Sequence, residues 1–234
     1  MDIKNKNKNK NKNKNKNNND NDMNNITNLM QNIKLNNKLD FNYFIDIIKE
    51  VSYILNCKSN KEKSIHSFCS LVDRKLVQGE CIKLGFAMEK YTTQIILKFT
   101  NLENIRPKNK KGKKERDILF IDTENKIVYY FELKTNLDLD TEKYRITIEK
   151  CKKIEEELKT NYSKYNIVWG LVGLRYLSFN DIPNVISKKY ITLNDKVYGF
   201  NDLLKKLNIN FSFTNDNYKK LVNTIADECF NDDN

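Results

Sequence analysis

Asp117-Ile-Leu-Phe-Ile-Asp122-Thr-Glu-Asn-Lys126-Ile-Val-Tyr-Tyr-Phe-Glu132-Leu-Lys134 sets two apolar runs on either side of a short polar segment. Two runs of β-branched and aromatic residues, Asp117–Asp122 and Ile127–Lys134, read as strands, and the polar Thr123–Lys126 between them reads as a turn. Both strands carry apolar residues on both faces, as expected of a sheet covered by helices on each side. With a two-residue turn at Glu124-Asn125, Asp117 stands directly opposite Glu132. Opposed residues have Cβ atoms about 4.5–5.5 Å apart, so the two carboxylates can share one cation. Lys134 lies two residues beyond Glu132 and therefore on the same face.

Three charged groups converging on an apolar ribbon need compensation, because an unpaired buried charge is costly. A divalent metal supplies it. Carboxylate oxygens suit Mg²⁺, with Mn²⁺ as a substitute, and Mg²⁺ accepts phosphate oxygens as further ligands. A metal held there can polarise a scissile phosphate and activate a water, while Lys134 orients that water or neutralises developing charge. The competing reading is a structural Asp117–Lys134 ion pair at a sheet end. Acid-x-Lys triplets are common in a chain with 37 Lys. Asp73-x-Lys75 and Glu157-x-Lys159 fall on amphipathic helices, and Glu124-x-Lys126 falls in the turn. Glu132-Leu-Lys134 is the triplet that sits in an apolar strand with an Asp opposite.

Upstream, Asp40 is a good N-cap for a helix with Ile45, Ile48, Val51 and Leu55 at helical spacing. A second helix is expected over 60–77, with Ile65, Phe68, Val72 and Leu76 on its inner face and Gln78-Gly79 as its stop. It carries His66, and a lone His on such a face is more often structural than catalytic. A third starts near Cys81 with the seam Leu84, Met88, Tyr91 and Ile95. Gly85 and Glu89 lie one turn apart beside that seam, where glycine permits close approach to a sheet. Glu89 either leans towards the packed side or is solvated, and the sequence leaves both open. Residues 106–116 hold seven basic residues and one acidic residue around Pro107 and Gly112, and read as a loop.

Downstream, Asp138 or Asp140 opens a helix over Thr141–Lys159, seamed by Tyr144, Ile148, Cys151, Ile154 and Leu158. Ile167–Tyr176 reads as a buried strand. Its Trp169 reads as core rather than, with Tyr162 and Tyr165, as a stacking group. A hairpin is expected from Tyr190–Leu193 and Lys196–Tyr198 around Asn194-Asp195. Short helices follow near 201–207 and 215–230.

The whole chain sets wider bounds. At 234 residues and 39% hydrophobic it can bury one substantial core, and no linker or repeat divides it. Residues 4–19 are nearly pure Lys-Asn alternation, so 1–25 is expected to be a disordered Lys/Asn-rich tail and 26–234 a single domain. No apolar run approaches the roughly 20 residues of a membrane span, and the N-terminus lacks the pattern of a secretory signal. Five Cys without a CxxC pair, beside a single His, argue against a zinc site and for free thiols in a reducing, intracellular setting. That setting is the cytoplasm or, for a viral protein, the inside of a host cell. The net charge of +11 is compatible with nucleic acid. Yet 37 Asn accompany the 37 Lys, against five Arg, so AT-rich codons explain part of the surplus. Codon bias does not explain why lysines crowd directly before Asp117.

Asp117, fourteen intervening residues and then Glu132-Leu-Lys134 resembles the signature of the PD-(D/E)xK nucleases, over about residues 79–176. The resemblance implies an α/β fold whose core is a mixed sheet flanked by helices, here with extra N- and C-terminal helices. It implies that Asp117, Glu132 and the Leu133 carbonyl bind Mg²⁺, that Lys134 is the catalytic lysine, and that Glu89 supports the site. Arg116 stands where the motif's name has Pro. The family's first core strand is hard to find, and pairing near Glu103–Arg106 is expected to supply it. The compact length and the run Phe131–Lys143 look most like type II restriction endonucleases. Such enzymes cut duplex DNA at a short sequence, commonly as homodimers, and a cognate DNA methyltransferase protects the same site. Lys108, Lys110, Lys111, Lys113, Lys114 and Arg116 would then track the DNA backbone beside the acids. A repair or structure-selective nuclease of the same superfamily and a non-catalytic nucleic-acid-binding protein are the alternatives.

Overall fold

The computed structural model of the chain describes residues 39–55, 71–73, 76, 78–107 and 116–230. Strands β2 (Ile118–Asp122) and β3 (Ile127–Lys134) pair antiparallel, with Ile118 opposite Phe131 and Asp122 opposite Ile127. This is the register expected from sequence, although the loop is four residues long rather than two. Lys126 takes φ 56°, and the Asp122 carboxylate accepts the Asn125 N–H at 2.9 Å, which closes the turn.

The remaining strands extend this pair to the five-stranded order β1-β2-β3-β4-β5. Strand β1 (Glu103–Asn104) pairs antiparallel with β2 through Ile121 and Phe120. This places a short strand inside the span expected from sequence. Strand β4 (Asn166–Gly173) runs parallel to β3, and β5 (Val197–Tyr198) runs parallel to β4. The sheet is therefore mixed.

Side-chain alternation divides it into two faces. Ile118, Phe120, Tyr129, Phe131 and Leu133 pack with helices α1 (Phe41–Leu55) and α2 (Gln78–Phe99). The C-terminal helix, numbered α6 below, joins that core through Leu221, Val222 and Ile225. Leu119, Ile121, Val128 and Tyr130 pack with α3 (Thr141–Asn161) through Ile148, Cys151, Ile154 and Leu158. Asp140 caps α3, its carboxylate accepting the Lys143 N–H at 2.8 Å. Trp169 is buried on this face, as its apolar strand implies.

Three sequence readings need correction. Gln78-Gly79 opens α2 instead of stopping an earlier helix. Residues 71–73 and 76 are not helical, and the rest of the helix expected over 60–77, His66 included, lies outside the described residues. The expected hairpin after residue 190 is absent. Following the short helix α4 (Asn184–Ser187), Lys188–Lys196 forms 3₁₀ turns, and only Val197–Tyr198 is extended. Tyr190 is buried and its hydroxyl donates to the Leu137 carbonyl at 2.7 Å, while β4 offers Val197 a free edge. Gly170 lets the Tyr198 ring lie against β4, where a Cβ would collide with it.

Helices α5 (Phe200–Lys206) and α6 (Asn215–Phe230) complete the chain close to their expected spans. The described residues from Leu39 onward form one compact unit, and the Lys/Asn-rich tail lies outside the described residues. Among the described residues no helix is long and apolar enough to cross a membrane.

Candidate active site

The site lies where β2 and β3 part. Asp117 immediately precedes β2, and β3 runs on past it to Lys134. Leu133 N–H, on the edge of β3 beyond its pairing with β2, donates to Asp117 Oδ2 at 2.8 Å. A strand residue's N–H and C=O point to the same edge, so the Leu133 carbonyl also faces the Asp117 side. A cleft of about 200 Å³ opens here, lined by Glu89, Asp117, Leu133, Lys134 and Thr135, with Ile82 and Phe86 of α2 also on its wall.

Glu89 settles on the packed side: it is 7% exposed and accepts a hydrogen bond from Arg106. Arg106 also donates to the Asp117 carbonyl at 2.8 Å, so one guanidinium ties α2 to the entry of β2. Gly85 has a plainer role than expected. A methyl added there would meet Thr135 Oγ1 at 3.7 Å, an ordinary contact, so close approach to a strand does not demand glycine.

Glu132 is 2% exposed and its carboxylate is saturated. Lys150 of α3 donates to Oε1 at 2.8 Å and Oε2 at 2.7 Å, Lys134 to Oε1 at 2.8 Å, and the Tyr130 hydroxyl to Oε2 at 2.9 Å. Four hydrogen bonds from these three groups fill the acceptor capacity of a carboxylate. Burial pushes the Glu132 carboxyl up, but Lys134 and Lys150 outweigh it and hold the group below its ordinary value. Burial and the adjoining Glu132 raise the Tyr130 phenol, which keeps it protonated as a donor. Burial would depress the Lys134 ammonium, but Glu132 beside it raises it instead.

Asp117 behaves in the opposite way. Burial, then the charge of Glu132, raises its carboxyl to about 7, against the weaker pull of the Leu133 N–H and Lys150. The two acids therefore divide their roles: Glu132 stays ionised and Asp117 titrates near neutrality.

The structure brings all four expected residues, Asp117, Glu132, Lys134 and Glu89, to one region, but it changes their partners. Lys134 pairs with Glu132, not with Asp117. The buried charges are compensated without a metal, by Lys134 and Lys150 on Glu132 and by Arg106 on Glu89. Sequence reasoning missed both Lys150 and Arg106. A signal for Lys150 existed, since it precedes Cys151 on the seam side of α3, three residues after buried Thr147. Arg116 is bound to Glu157 of α3 at 2.6 Å. Lys108, Lys110, Lys111, Lys113 and Lys114 lie outside the described residues.

The available donors fit a hard cation. Asp117 and Glu89 line the cleft, and the Leu133 carbonyl faces its Asp117 side. Among the described residues no three His, Cys, Asp or Glu side chains stand together as a ready metal cage. Glu132 can join such a set only by giving up one of its four hydrogen bonds, and Lys134 is the donor that also lines the cleft. Comparisons of the chain with protein-family profiles, with curated proteins and with solved structures gave no match.

Proposed function

We propose that this chain is a Mg²⁺-dependent endonuclease with a PD-(D/E)xK core that hydrolyses phosphodiester bonds of double-stranded DNA at a specific sequence, as type II restriction enzymes do. The observation that carries the reading is the hairpin register. It sets Asp117 one residue before the Ile118–Phe131 pair, where its carboxylate accepts the Leu133 N–H, and Lys134 and Glu89 line the same cleft.

Asp117, Glu132 and the Leu133 carbonyl would hold the ion, which when bound supplies Lewis-acid polarisation of the phosphate. Asp117 must lose its proton to serve as a ligand. Lys134 leaves Glu132 for a phosphate oxygen or the attacking water, where its charge offsets what develops in the transition state. Glu89, fixed by Arg106, adds negative charge to the cleft and so favours a cation there. The sequence-specific task, and a methyltransferase protecting the same site, follow from the resemblance and not from this geometry.

One observation favours a second reading, a non-catalytic nucleic-acid-binding protein. Glu132 and Glu89 are already paired with three cations, Lys134, Lys150 and Arg106, so the network can stand as structure alone. The separating experiment incubates plasmid DNA and Mg²⁺ with the chain and with Lys134→Ala, then sequences the ends. Discrete products sharing one end sequence, reduced at least about a hundredfold by Lys134→Ala, are expected. Cutting that depends on junctions or flaps would move the task to repair. Intact DNA across several metals, with binding retained, would establish the second reading.

A further inference from the structure

Lys150 lies outside the motif, yet it holds both oxygens of Glu132, at 2.8 and 2.7 Å, whereas Lys134 holds one. The two lysines are not equivalent in position. Lys134 lines the cleft, and Lys150 comes from α3 on the covered face of the sheet, with its side chain 20% exposed. An ammonium leaving Glu132 for a phosphate must be the one already at the cleft. Its departure would strip a carboxylate that is 2% exposed of a counter-charge, unless another cation remains.

We propose that Lys150 is a positioning residue: it stays on Glu132, with the Tyr130 hydroxyl, so that Lys134 is free to serve the substrate phosphate. This inference rests on the nuclease reading and adds a division of labour between two lysines. Lys150 fixes the glutamate's rotamer and balances its charge in both states. Lys134 moves between the glutamate and the phosphate. Among the described residues no other cation lies within ion-pair distance of Glu132, so none of them can take the first role.

The test is a double-mutant cycle on the full chain, using Lys150→Met, Lys134→Ala and the pair, read in single-turnover cleavage at saturating Mg²⁺. Lys150→Met should slow cleavage about 10- to 100-fold, the usual cost of losing a ligand's outer partner. In the Lys134→Ala background the same change strips Glu132 of the second of its two cations, so the two losses should not multiply. Lys150→Arg, which keeps two donors and the charge, should recover most of the rate and guards against a folding defect.

A second readout does not need turnover. With Ca²⁺ in place of Mg²⁺, Lys150→Met should lower affinity for duplex DNA and reduce the salt slope by about one, as Lys134→Ala does, because Lys134 stays on Glu132. Full additivity of the two substitutions, or wild-type rate and salt slope in Lys150→Met, would overturn the proposal. Should the unaltered chain fail to cut DNA, the nuclease reading falls first. Should it cut while Lys150→Met cuts equally well, only the division of labour falls.

Discussion

Asp117 is the residue on which pH should act. Its carboxyl is raised to about 7, first by burial and then by the charge of Glu132, against 3.8 for an ordinary aspartate. Between about pH 4 and 7 the folded chain therefore holds a proton that the unfolded chain has released. The stability this contributes is fully present below 3.8 and is lost as pH rises through about 7. A cation competes with that proton, so metal binding should release it and strengthen with pH. Thermal unfolding with and without Mg²⁺ should show little stabilisation by the ion at about pH 6 and a plateau by about pH 8. Asp117→Asn should remove both the pH-dependent loss of stability and the gain from Mg²⁺. A Mg²⁺ effect equally large at both pH values would show that Asp117 is not a ligand.

At the scale of elements, the site depends on how α2 is fastened to the sheet. Arg106, just beyond β1, donates to Glu89 on α2 and to the Asp117 carbonyl at the entry of β2. Removing it would leave a nearly buried carboxylate without that cation and a carbonyl without that donor. Arg106→Ala should cost roughly 2–4 kcal/mol in urea unfolding. Arg106→Lys should restore only part of the loss, because a single ammonium cannot copy the guanidinium's fixed fork. A loss below about 0.5 kcal/mol would mean that the contact does not fasten the helix.

The same contact shows what a sequence can and cannot convey. The hairpin is legible because a polar turn between two apolar runs fixes its register, and the register brings Asp117 near Glu132. The seam Leu84, Met88, Tyr91, Ile95 is legible because helical spacing alone places those four on one buried face. Arg106 and Lys150 are not legible. Each acts across the fold, on a residue 17 or 18 positions away, and the place of Lys150 beside the α3 seam does not by itself point to Glu132 as its partner. The turns after Ser187 escape a local reading for a related reason. Tyr190 facing in and Ile191 facing out satisfy a strand or a 3₁₀ turn alike, and the distant Leu137 carbonyl decides between them.

Across the whole molecule, the lysines proposed to engage DNA can be separated by where they lie along the chain. The surplus of +11 is unevenly spread: residues 1–25 hold seven Lys and three Asp, and residues 106–116 hold seven basic residues beside one acid. Charge near the cleft bears on phosphates held in register with the reacting one. Charge far along the chain adds only a non-specific, salt-sensitive attraction. The two segments should therefore respond differently to salt. Changing Lys108, Lys110, Lys111, Lys113 and Lys114 together to Gln should reduce the slope of log K against log salt by about 4, from roughly 0.9 per phosphate contact. It should weaken binding to all DNA sequences alike and leave the single-turnover rate at saturating protein within a fewfold, since Lys134 and the acids are untouched. Deleting residues 1–25 should lower affinity at low salt but leave specific cleavage intact at moderate salt. Anisotropy titrations from about 50 to 300 mM salt measure both effects. If the deletion abolished cleavage while the five-Gln variant bound and cut like the unaltered chain, DNA would be engaged through the tail and not through the segment entering Asp117.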